Sequence, residues 1–297
     1  MFCNRTAKRR AWIGVWLAAL GLGACEPGEG PASAAAPVFR FSAIPDEKPT
    51  DQRARFQPVA DYLARQLGVA VEYVPVNQYS ASVQAFINGD VDAAWFGGLS
   101  GVQARLAVPG SKALAQGAED PHFRSYFIAH VDSGLRPSEA FPLAARGLKF
   151  SFGSEGSTSG RLMPEHFLRE HTGQAPDAFF SAVGFSGNHP ATLAAVNSGA
   201  FDVGALNYRV YDAAAPEDRA RTFVLWRTPP YADYNLSARA DLDERFGAGF
   251  AAALQRAFLE MPEGLCERSF ARSKMVPARN ADFADVEGIA RDLGLVR

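Results

Sequence analysis

The feature that most limits the fold is an alternation of strand-like and helix-like segments along the body of the chain. Residues 38–44 alternate apolar and polar side chains, as a half-buried strand does, and residues 53–68 place apolar side chains at helical spacing. Apolar runs at 69–76 and 91–97 predict two more strands, separated by a helix that ends at Gly89. Strands that alternate with helices favour a mostly parallel sheet covered by helices on both faces.

The same order returns in the second half of the chain. Apolar residues 148–152 predict a strand, which is followed by a polar loop, a helix and further strand and helix segments. In each half an aspartate, Asp92 or Asp202, stands three residues after a glycine and opens a strand of small apolar residues. The two aspartates follow Phe41 and Phe152 at nearly equal distances along the chain. The sequence therefore predicts two similar α/β lobes, each with a mostly parallel sheet flanked by helices.

The repeat also predicts how the chain divides between the lobes. Residues 38–128 are expected to form the first part of lobe 1, and residues 129–230 are expected to form lobe 2. Residues 231–297 then return to lobe 1, and the apolar segments 125–131 and 223–231 carry the chain across and back. Ligands of open α/β sheets bind beyond the carboxyl ends of the strands, so we expect the site in the cleft between the lobes.

The N-terminus has the three zones of a secretory signal peptide. A basic head precedes an apolar stretch that is too short for a transmembrane helix, so residues 1–24 are predicted to be cleaved. The sequence Leu-Gly-Ala-Cys that ends at Cys25 resembles the lipobox of bacterial lipoproteins, which predicts a lipidated cysteine at the mature N-terminus. The alternative is ordinary secretion with cleavage after Ala24. Residues 25–37 are rich in Pro, Gly and Ala and predict a flexible tether.

Cysteine content and charge exclude several classes of protein. Cys3 would leave with the signal peptide and Cys25 would carry the lipid, so Cys266 has no disulfide partner and the fold depends on its core. A net charge of −2 without basic blocks argues against nucleic acid as a partner. The five histidines show no metal-ligand spacing with cysteines or carboxylates. Neither a metal nor a cofactor is predicted.

Residues 153–160, GSEGSTSG, lie between a predicted strand and a predicted helix. The glycines lack Walker-loop spacing, and the centre of the G-x-x-x-G stretch is Thr158 rather than the serine of a nucleophile elbow. What remains is a helix start beside the hydroxyls of Ser157, Thr158 and Ser159, where Gly160 permits close approach. Because helix N-termini bind anions without a cationic side chain, we interpret the motif as an oxyanion cradle. The alternative is that one serine only caps the helix.

Two motifs, WFGGLSG at 95–101 and GSTSG at 156–160, follow the lipobox-like Cys25 in this chain. Together they resemble the phosphonate-binding proteins of bacterial ABC importers, over about residues 38–280. The similarity is closest to a subgroup described as selenate-binding. The resemblance implies a type II periplasmic-binding-protein fold, in which two lobes joined by a double-strand hinge close over a tetrahedral oxyanion.

The resemblance also implies ligand contacts outside the cradle. Tyr79 matches a ligand-contacting tyrosine of the phosphonate binders. Asn188 and His189 lie in the loop where those proteins carry a histidine. Because His189 precedes Pro190 at a predicted helix start, the alternative is that it only flanks a cap. Asp46 is interpreted as part of a solvated loop.

Two departures from the family pattern narrow the ligand. The Trp-Tyr-Gly of the phosphonate binders is Trp95-Phe96-Gly97 here, which removes one phenolic hydroxyl. Phe96 is interpreted as a core residue, and Trp95 as either a ligand contact or a core residue. Asn207 and Tyr208 replace a more acidic segment that would suit an amino group on the ligand. Both changes favour a compact oxyanion over an aminoalkyl phosphonate.

We therefore interpret the sequence as a membrane-tethered, monomeric receptor outside the cytoplasm. It would deliver an oxyanion such as selenate, phosphonate or phosphite to an ABC permease and its ATPase, without catalysis. Two alternatives remain open. One is a ligand sensor that presents its closed form to a membrane kinase. The other is a hydrolase that uses Ser157 or Ser159, for which no base is visible in the sequence.

Overall fold

A computed structural model describes residues 36–46 and 52–297 of the chain. The predicted signal peptide, the predicted lipidation site Cys25 and most of the predicted tether lie outside the described residues. Within the two described ranges, no helix is both long enough and apolar enough to cross a membrane.

The first sheet contains six strands: β1 (Phe39–Ala43), β2 (Val71–Tyr73), β3 (Ala93–Phe96), β4 (Lys112–Gly117), β10 (Asn235–Ala238) and β11 (Met275–Pro277). Across the sheet their order is β11-β4-β10-β3-β1-β2. β1 pairs in parallel with β2 and β3, and β10 runs antiparallel between β3 and β4. Four of the six strands thus share one direction, and β10 and β11 oppose them. This sheet is the centre of lobe 1.

The second sheet contains five strands: β5 (Ser125–His130), β6 (Lys149–Phe152), β7 (Ala182–Phe185), β8 (Val203–Asn207) and β9 (Thr222–Arg227). Their order is β7-β6-β8-β5-β9, and only β5 opposes the direction of the other four. The boundary predicted after residue 128 falls inside β5, which belongs to this sheet over its whole length. This sheet is the centre of lobe 2.

The chain crosses between the lobes twice, immediately before β5 and after β9. The Phe123 N–H donates to the Tyr231 carbonyl at 2.9 Å, and the Tyr231 N–H donates to the Phe123 carbonyl at 3.0 Å. Two residues further on, the Asp233 N–H donates to the Asp120 carbonyl at 3.1 Å. The two crossing segments therefore form a short antiparallel pair, which we call the hinge (118–124 and 228–234).

Helices connect the strands of both sheets. In chain order they are α1 (Gln52–Leu67), α2 (Tyr79–Asn88), α3 (Gly98–Ala107), α4 (Met163–Thr172), α5 (Pro176–Phe179), α6 (His189–Asn197), α7 (Tyr208–Ala213), α8 (Leu242–Phe246), α9 (Phe250–Leu259), α10 (Glu263–Phe270) and α11 (Ala284–Asp292). The predicted glycine stops of α2 and α4 are present, because Gly89 and Gly173 adopt the left-handed conformation with φ of 79° and 66°.

Two helices begin where the sequence analysis predicted no helix start, and a third begins where one was predicted. Helix α3 begins at Gly98, within the WFGGLSG motif, and α7 begins at Tyr208, directly after β8. A π-helical turn, Thr158–Leu162, begins inside the GSEGSTSG motif and leads into α4. A helix start is hard to recognise in a short run of glycine and hydroxyl residues, because their helix propensity is low. Tertiary contacts hold the first turn instead.

The same hydrogen bond occurs within each lobe, and it explains the repeated aspartates. In lobe 1 the Arg40 N–H donates to the Asp92 carboxylate at 2.8 Å, and in lobe 2 the Lys149 N–H donates to the Asp202 carboxylate at 2.8 Å. Each aspartate thus ties the entrance of the third strand to the start of the first. The repeated spacing in the sequence therefore corresponds to a repeated structural unit, β2-β1-β3 in lobe 1 and β7-β6-β8 in lobe 2.

Aromatic side chains continue the core of lobe 1 into the hinge. The ring centroid of Trp95 lies 6.0 Å from that of Tyr234, which in turn lies 5.2 Å from Phe123. Phe96 is fully buried and packs edge-on against Phe86, 5.6 Å between centroids, as the core interpretation expected. Aromatic packing against lobe 1 therefore holds the hinge together with its backbone hydrogen bonds.

Candidate functional site

The GSEGSTSG motif folds back on itself at the carboxyl end of β6. Ser157 precedes the π-helical turn, and its Oγ accepts a hydrogen bond from the Gly160 N–H at 2.9 Å. The Gly153 N–H donates to the Gly160 carbonyl at 2.8 Å, which closes the loop. A Cβ added at Gly160 would lie 3.0 Å from Ser157 Oγ and 3.2 Å from a ring carbon of His189. Only glycine lets the loop and the histidine ring approach so closely.

The three hydroxyls of the motif are all buried, and each has a protein neighbour. Ser157 caps the turn, so the cap interpretation holds for this residue. Thr158 Oγ1 accepts from the Leu99 N–H of lobe 1 at 3.0 Å. Ser159 lies beside the buried phenol of Tyr231, whose pKa burial raises well above its ordinary value, and its carbonyl accepts from Ser125 Oγ at 2.7 Å. A hydroxyl that accepts one hydrogen bond still has its own proton to donate, so a cap does not exclude a ligand contact.

His189 begins α6 and is 1% exposed, with its ring against the motif. Its Nδ1 accepts a hydrogen bond from the Asn207 N–H at 3.3 Å, so the neutral ring carries its proton on Nε2. Nε2 is buried and has no hydrogen-bond partner among residues 36–46 and 52–297. Burial lowers the pKa of His189 to about 4, so the ring is neutral at pH 7. The structure thus presents a buried, unsatisfied N–H donor beside the hydroxyl motif.

Asn188 and Asn207 hold this arrangement in place. Asn188 Oδ1 accepts from the Ala191 N–H at 2.9 Å and caps α6, so its side chain is occupied. Asn207 donates its backbone N–H to His189, donates its side-chain amide to the Tyr234 hydroxyl at 3.0 Å, and caps α7 with Oδ1. Tyr208 packs edge-on against the hinge residue Phe123, 5.0 Å between centroids. These contacts orient the histidine, and they bring the two lobes together at Tyr234.

Lobe 1 reaches the motif through Tyr79 and Gly97. Tyr79 begins α2 and is 3% exposed, and a Cβ added at Gly156 would lie 3.0 Å from the Tyr79 Cβ. A Cβ added at Gly97 would lie 3.1 Å from Thr158 Oγ1. Trp95 is 4% exposed and stacks on Tyr234, so it belongs to the aromatic wall of lobe 1. Tyr79, Gly97 and the motif therefore meet where the two lobes touch.

Comparison with known proteins assigns this architecture to a family. Over residues 41–283 the chain matches the family described as ABC transporter, phosphonate, periplasmic substrate-binding protein. It is 39% identical over 272 residues to the probable ABC transporter phosphite binding protein PhnD1 of Prochlorococcus marinus (strain MIT 9301), covering 88% of this chain and 91% of that protein. The chain belongs to this family.

Two further relatives are consistent with the assignment. The solved structure of PhnD1 from Prochlorococcus marinus (MIT 9301) in complex with methylphosphonate matches with a TM-score of 0.83 and 38% identity, over 87% of this chain and 99% of that chain. The phosphate-import protein PhnD of Mycolicibacterium smegmatis (strain ATCC 700084 / mc(2)155) is 31% identical over 204 residues, 63% of this chain and 61% of that protein.

Membership in the family confirms the predicted type II periplasmic-binding-protein fold and the resemblance to phosphonate-binding proteins. It also makes the chain the substrate-binding component of an ABC transporter, located outside the cytoplasm. The relatives are described as binding or importing phosphite, phosphate or phosphonates. Membership in a selenate-binding subgroup stays a prediction.

The geometry of His189 does not suit the hydrolase alternative. A base for Ser157 or Ser159 needs a ring nitrogen with a free lone pair. The lone pair of Nδ1 already accepts from Asn207, and Nε2 carries the proton. A neutral His189 can therefore donate to an oxyanion but cannot take a proton from either serine.

Several residues at the junction of the lobes were missed by the sequence analysis. Arg272 and Asp120 form a buried ion pair, 2.8 Å from Nε to Oδ1, and the Arg272 guanidinium lies 4.6 Å from the Tyr234 ring centroid. Asp233 is 1% exposed in the hinge. Asp46 is close enough to His189 to oppose, by its charge, the larger effect of burial on the pKa of that ring. None of these residues belongs to a local motif, so spacing alone offered no signal.

Proposed function

We propose that the protein captures a compact tetrahedral oxyanion, of the phosphite or methylphosphonate type, and delivers it to an ABC permease and its ATPase. The observation that carries this proposal is the buried Nε2–H of His189 beside the Ser157-Thr158-Ser159 turn. A buried donor without a partner is costly, and an oxyanion oxygen would satisfy it. The methylphosphonate complex of the related PhnD1 supports a ligand of this size.

The proposed contacts come mainly from lobe 2. Ser157 and Ser159 donate their hydroxyl protons, the first N–H groups of the π-helical turn donate from the backbone, and His189 donates from Nε2. The Tyr79 hydroxyl closes the site from lobe 1, and Trp95 forms its wall. Asn188, Asn207, Gly97 and Gly160 contribute by shape and by orienting these groups.

Neutral donors suit a small anion that carries one or two charges in a closed site. Asn207 and Tyr208 carry no carboxylate that could pair with a ligand amino group, and both contact other parts of the protein. The close approach of Gly156 to Tyr79 leaves little space for a long substituent. Selenate has the same tetrahedral shape and belongs in the test panel, together with phosphate and phosphite.

Calorimetry of the full chain against phosphite, methylphosphonate, phosphate and selenate tests the proposal. Removing a hydroxyl that donates to a charged ligand, as in Ser157→Ala or Ser159→Ala, should weaken binding by about 10- to 150-fold. Ser100→Ala is the matched control, because this equally buried hydroxyl in the first turn of α3 donates only to the Gly97 carbonyl, at 3.3 Å. If all three variants bind alike, the motif is not the cradle.

We also propose that Cys25 is lipidated and tethers the receptor to a membrane. The support is the lipobox-like sequence before Cys25 and the Pro- and Gly-rich segment after it. Cys25→Ser should move the protein from the membrane fraction to the soluble fraction. A variant that stays membrane-bound would exclude this anchor.

A further inference from the structure

The N-terminus of α3 is completed by residues that lie outside the first sheet. The first N–H groups of a helix have no partner within the helix, and a side chain at the N-cap usually accepts from one of them. The N-cap of α3 is Gly97, which has no side chain to do so. Instead the Gly98 N–H donates to Asp233 Oδ1 at 2.9 Å, and the Leu99 N–H donates to Thr158 Oγ1 at 3.0 Å.

The equivalent helix of lobe 2 is capped locally. Helix α7 follows β8 as α3 follows β3, and its N-cap Asn207 accepts from the Arg209 N–H at 2.8 Å. Lobe 2 therefore satisfies its own helix, whereas lobe 1 depends on Thr158 from lobe 2 and Asp233 from the hinge. The difference makes the two donors of α3 available only to groups that arrive when the lobes meet.

The contact is buried and tightly packed. Thr158 and Asp233 are 2% and 1% exposed. A Cβ added at Gly98 would lie 3.2 Å from the Ala232 carbonyl and 3.4 Å from the Thr158 methyl, and one added at Gly97 would lie 3.2 Å from Asp233 Oδ1. The glycines thus let the hinge and lobe 2 reach the backbone of α3 directly. A contact of this kind forms only over a narrow range of lobe separation.

We propose that Thr158 and Asp233 form a latch that holds the lobes closed on the N-terminus of α3. Both are positioning residues, and neither needs to touch the ligand through its side chain. The Asp233 carboxyl oxygen accepts from the Gly98 N–H as the side chain of an N-cap residue would, so this terminus is occupied by the protein itself. The inference rests on the proposed function in one respect, that Ser157 and Ser159 bind the oxyanion. Because Thr158 lies between them in one turn, ordering that turn on the ligand also aligns the latch.

The surroundings of Asp233 add a pH dependence to the latch. Its carboxyl faces Asp120 and Arg272 and lies beside the phenols of Tyr231 and Tyr234. Burial raises its pKa to about 7, against hydrogen bonds from Gly98 and Thr158 that lower it. Opening the lobes would return the carboxyl towards water and towards its ordinary pKa of 3.8. Its contribution to closure is therefore complete below about pH 4 and is lost as the pH rises through about 7.

Amide hydrogen exchange of the full chain, resolved at Gly98 and Leu99, tests the latch directly. In the wild type we expect both amides to be protected, most strongly with saturating methylphosphonate. Thr158→Val removes the acceptor of the Leu99 N–H and should speed exchange at Leu99 by at least about 10-fold. Asp233→Ala removes the acceptor of the Gly98 N–H, so it should speed exchange at Gly98 and remove the pH dependence. Thr172→Val is the matched control, because that hydroxyl donates within its own helix, to the Leu168 carbonyl at 2.6 Å.

The outcomes separate the latch from the proposed function. If the two amides are protected in the wild type and lose protection in folded Thr158→Val, the latch is supported. If calorimetry shows no oxyanion binding in the same experiments, that result counts against the proposed ligand and not against the latch. Exchange at Leu99 that is as slow in Thr158→Val as in Thr172→Val overturns the latch. Unprotected amides in the wild type, with and without methylphosphonate, overturn it as well.

Discussion

The two lobes are built on one plan but present different chemistry at the same places. In each lobe the helix between the second and third strands begins with a buried ring, Tyr79 in lobe 1 and His189 in lobe 2. Both rings face the glycines of one loop, because Gly156 lies against Tyr79 and Gly160 lies against His189. Strand β6, the counterpart of β1, leads into the hydroxyl motif, which has no counterpart in the described part of lobe 1. Lobe 2 thus carries most of the polar donors, and lobe 1 closes over them.

The repeated aspartates show a second difference. Asp92 is 1% exposed and pairs with Arg245, which comes from the final part of the chain. Asp202 is half-buried and lies beside a polar surface that includes His130 and Arg221. The same backbone tie is therefore a core element in lobe 1 and a surface element in lobe 2. The two lobes therefore keep the same connection between strands, while the groups around each aspartate differ.

The largest expected effect is the loss of stability when either repeated aspartate is replaced. Asp92→Ala leaves the Arg40 N–H and the Arg245 guanidinium without their buried acceptor, which should lower the free energy of unfolding by about 3 kcal/mol. Asp202→Ala removes the equivalent acceptor of Lys149 where water can replace it, and should cost about 1 kcal/mol. Urea unfolding measures both. Equal losses would mean that burial does not distinguish the two sites.

The next largest effect is expected from replacing Gly160, where the loop lies close to the His189 ring. In Gly160→Ala the added methyl meets Ser157 Oγ, the Gly153 Cα and the His189 ring, so the cradle must expand. We expect methylphosphonate affinity to fall by roughly 100-fold or more, which is about 2.7 kcal/mol. Gly288→Ala in lobe 1, where nothing lies within 4 Å of the new methyl, is the control and should bind normally. Normal binding by Gly160→Ala would place the ligand elsewhere.

Replacing Tyr79 at the start of α2 and replacing His189 at the start of α6 should change the pH dependence of unfolding differently. The pKa of His189 is about 4 in the folded chain and about 6.5 when exposed, so its stabilising contribution is complete above pH 6.5 and is lost as the pH falls towards 4. Between pH 7 and pH 5 this costs ~2 kcal/mol of the free energy of unfolding. Tyr79→Phe leaves His189 in place and is the control. We expect His189→Gln to unfold with a smaller change over that interval than Tyr79→Phe, and equal changes would contradict the assignment.

The smallest effect concerns the fit between the lobes. A methyl at Gly156 would press on the Tyr79 Cβ across the cleft, and the three atoms nearest to it all belong to Tyr79. Gly156→Ala should therefore weaken ligand binding by about 10-fold, close to 1.4 kcal/mol, and leave the melting temperature of the unliganded chain nearly unchanged. Small-angle scattering with saturating ligand should show a larger radius of gyration than in the wild type. An unchanged radius together with unchanged affinity would show that this contact does not limit closure.

Much of the fold follows from local pattern. The strand and helix order, the glycine stops at Gly89 and Gly173, and the repeated aspartates were predictable because each depends on spacing within a few turns of chain. The candidate site was predictable in outline for the same reason, since hydroxyls and glycines at a helix start form a local motif. The start of α3 at Gly98 was missed, because low-propensity residues become helical there only through contacts from elsewhere.

Local sequence pattern therefore predicts the two-lobed architecture and the position of the GSEGSTSG motif. The tertiary structure alone decided which groups meet that motif. The Leu99 N–H reaches Thr158 across 59 residues, the Gly98 N–H reaches Asp233 across 135, and Arg272 reaches Asp120 across 152. The proton position on His189, at the start of α6, is likewise set by Asn207, at the end of β8. Such contacts leave no periodic trace along the chain, because they depend on how two folded lobes pack against each other and not on the propensity of any one segment.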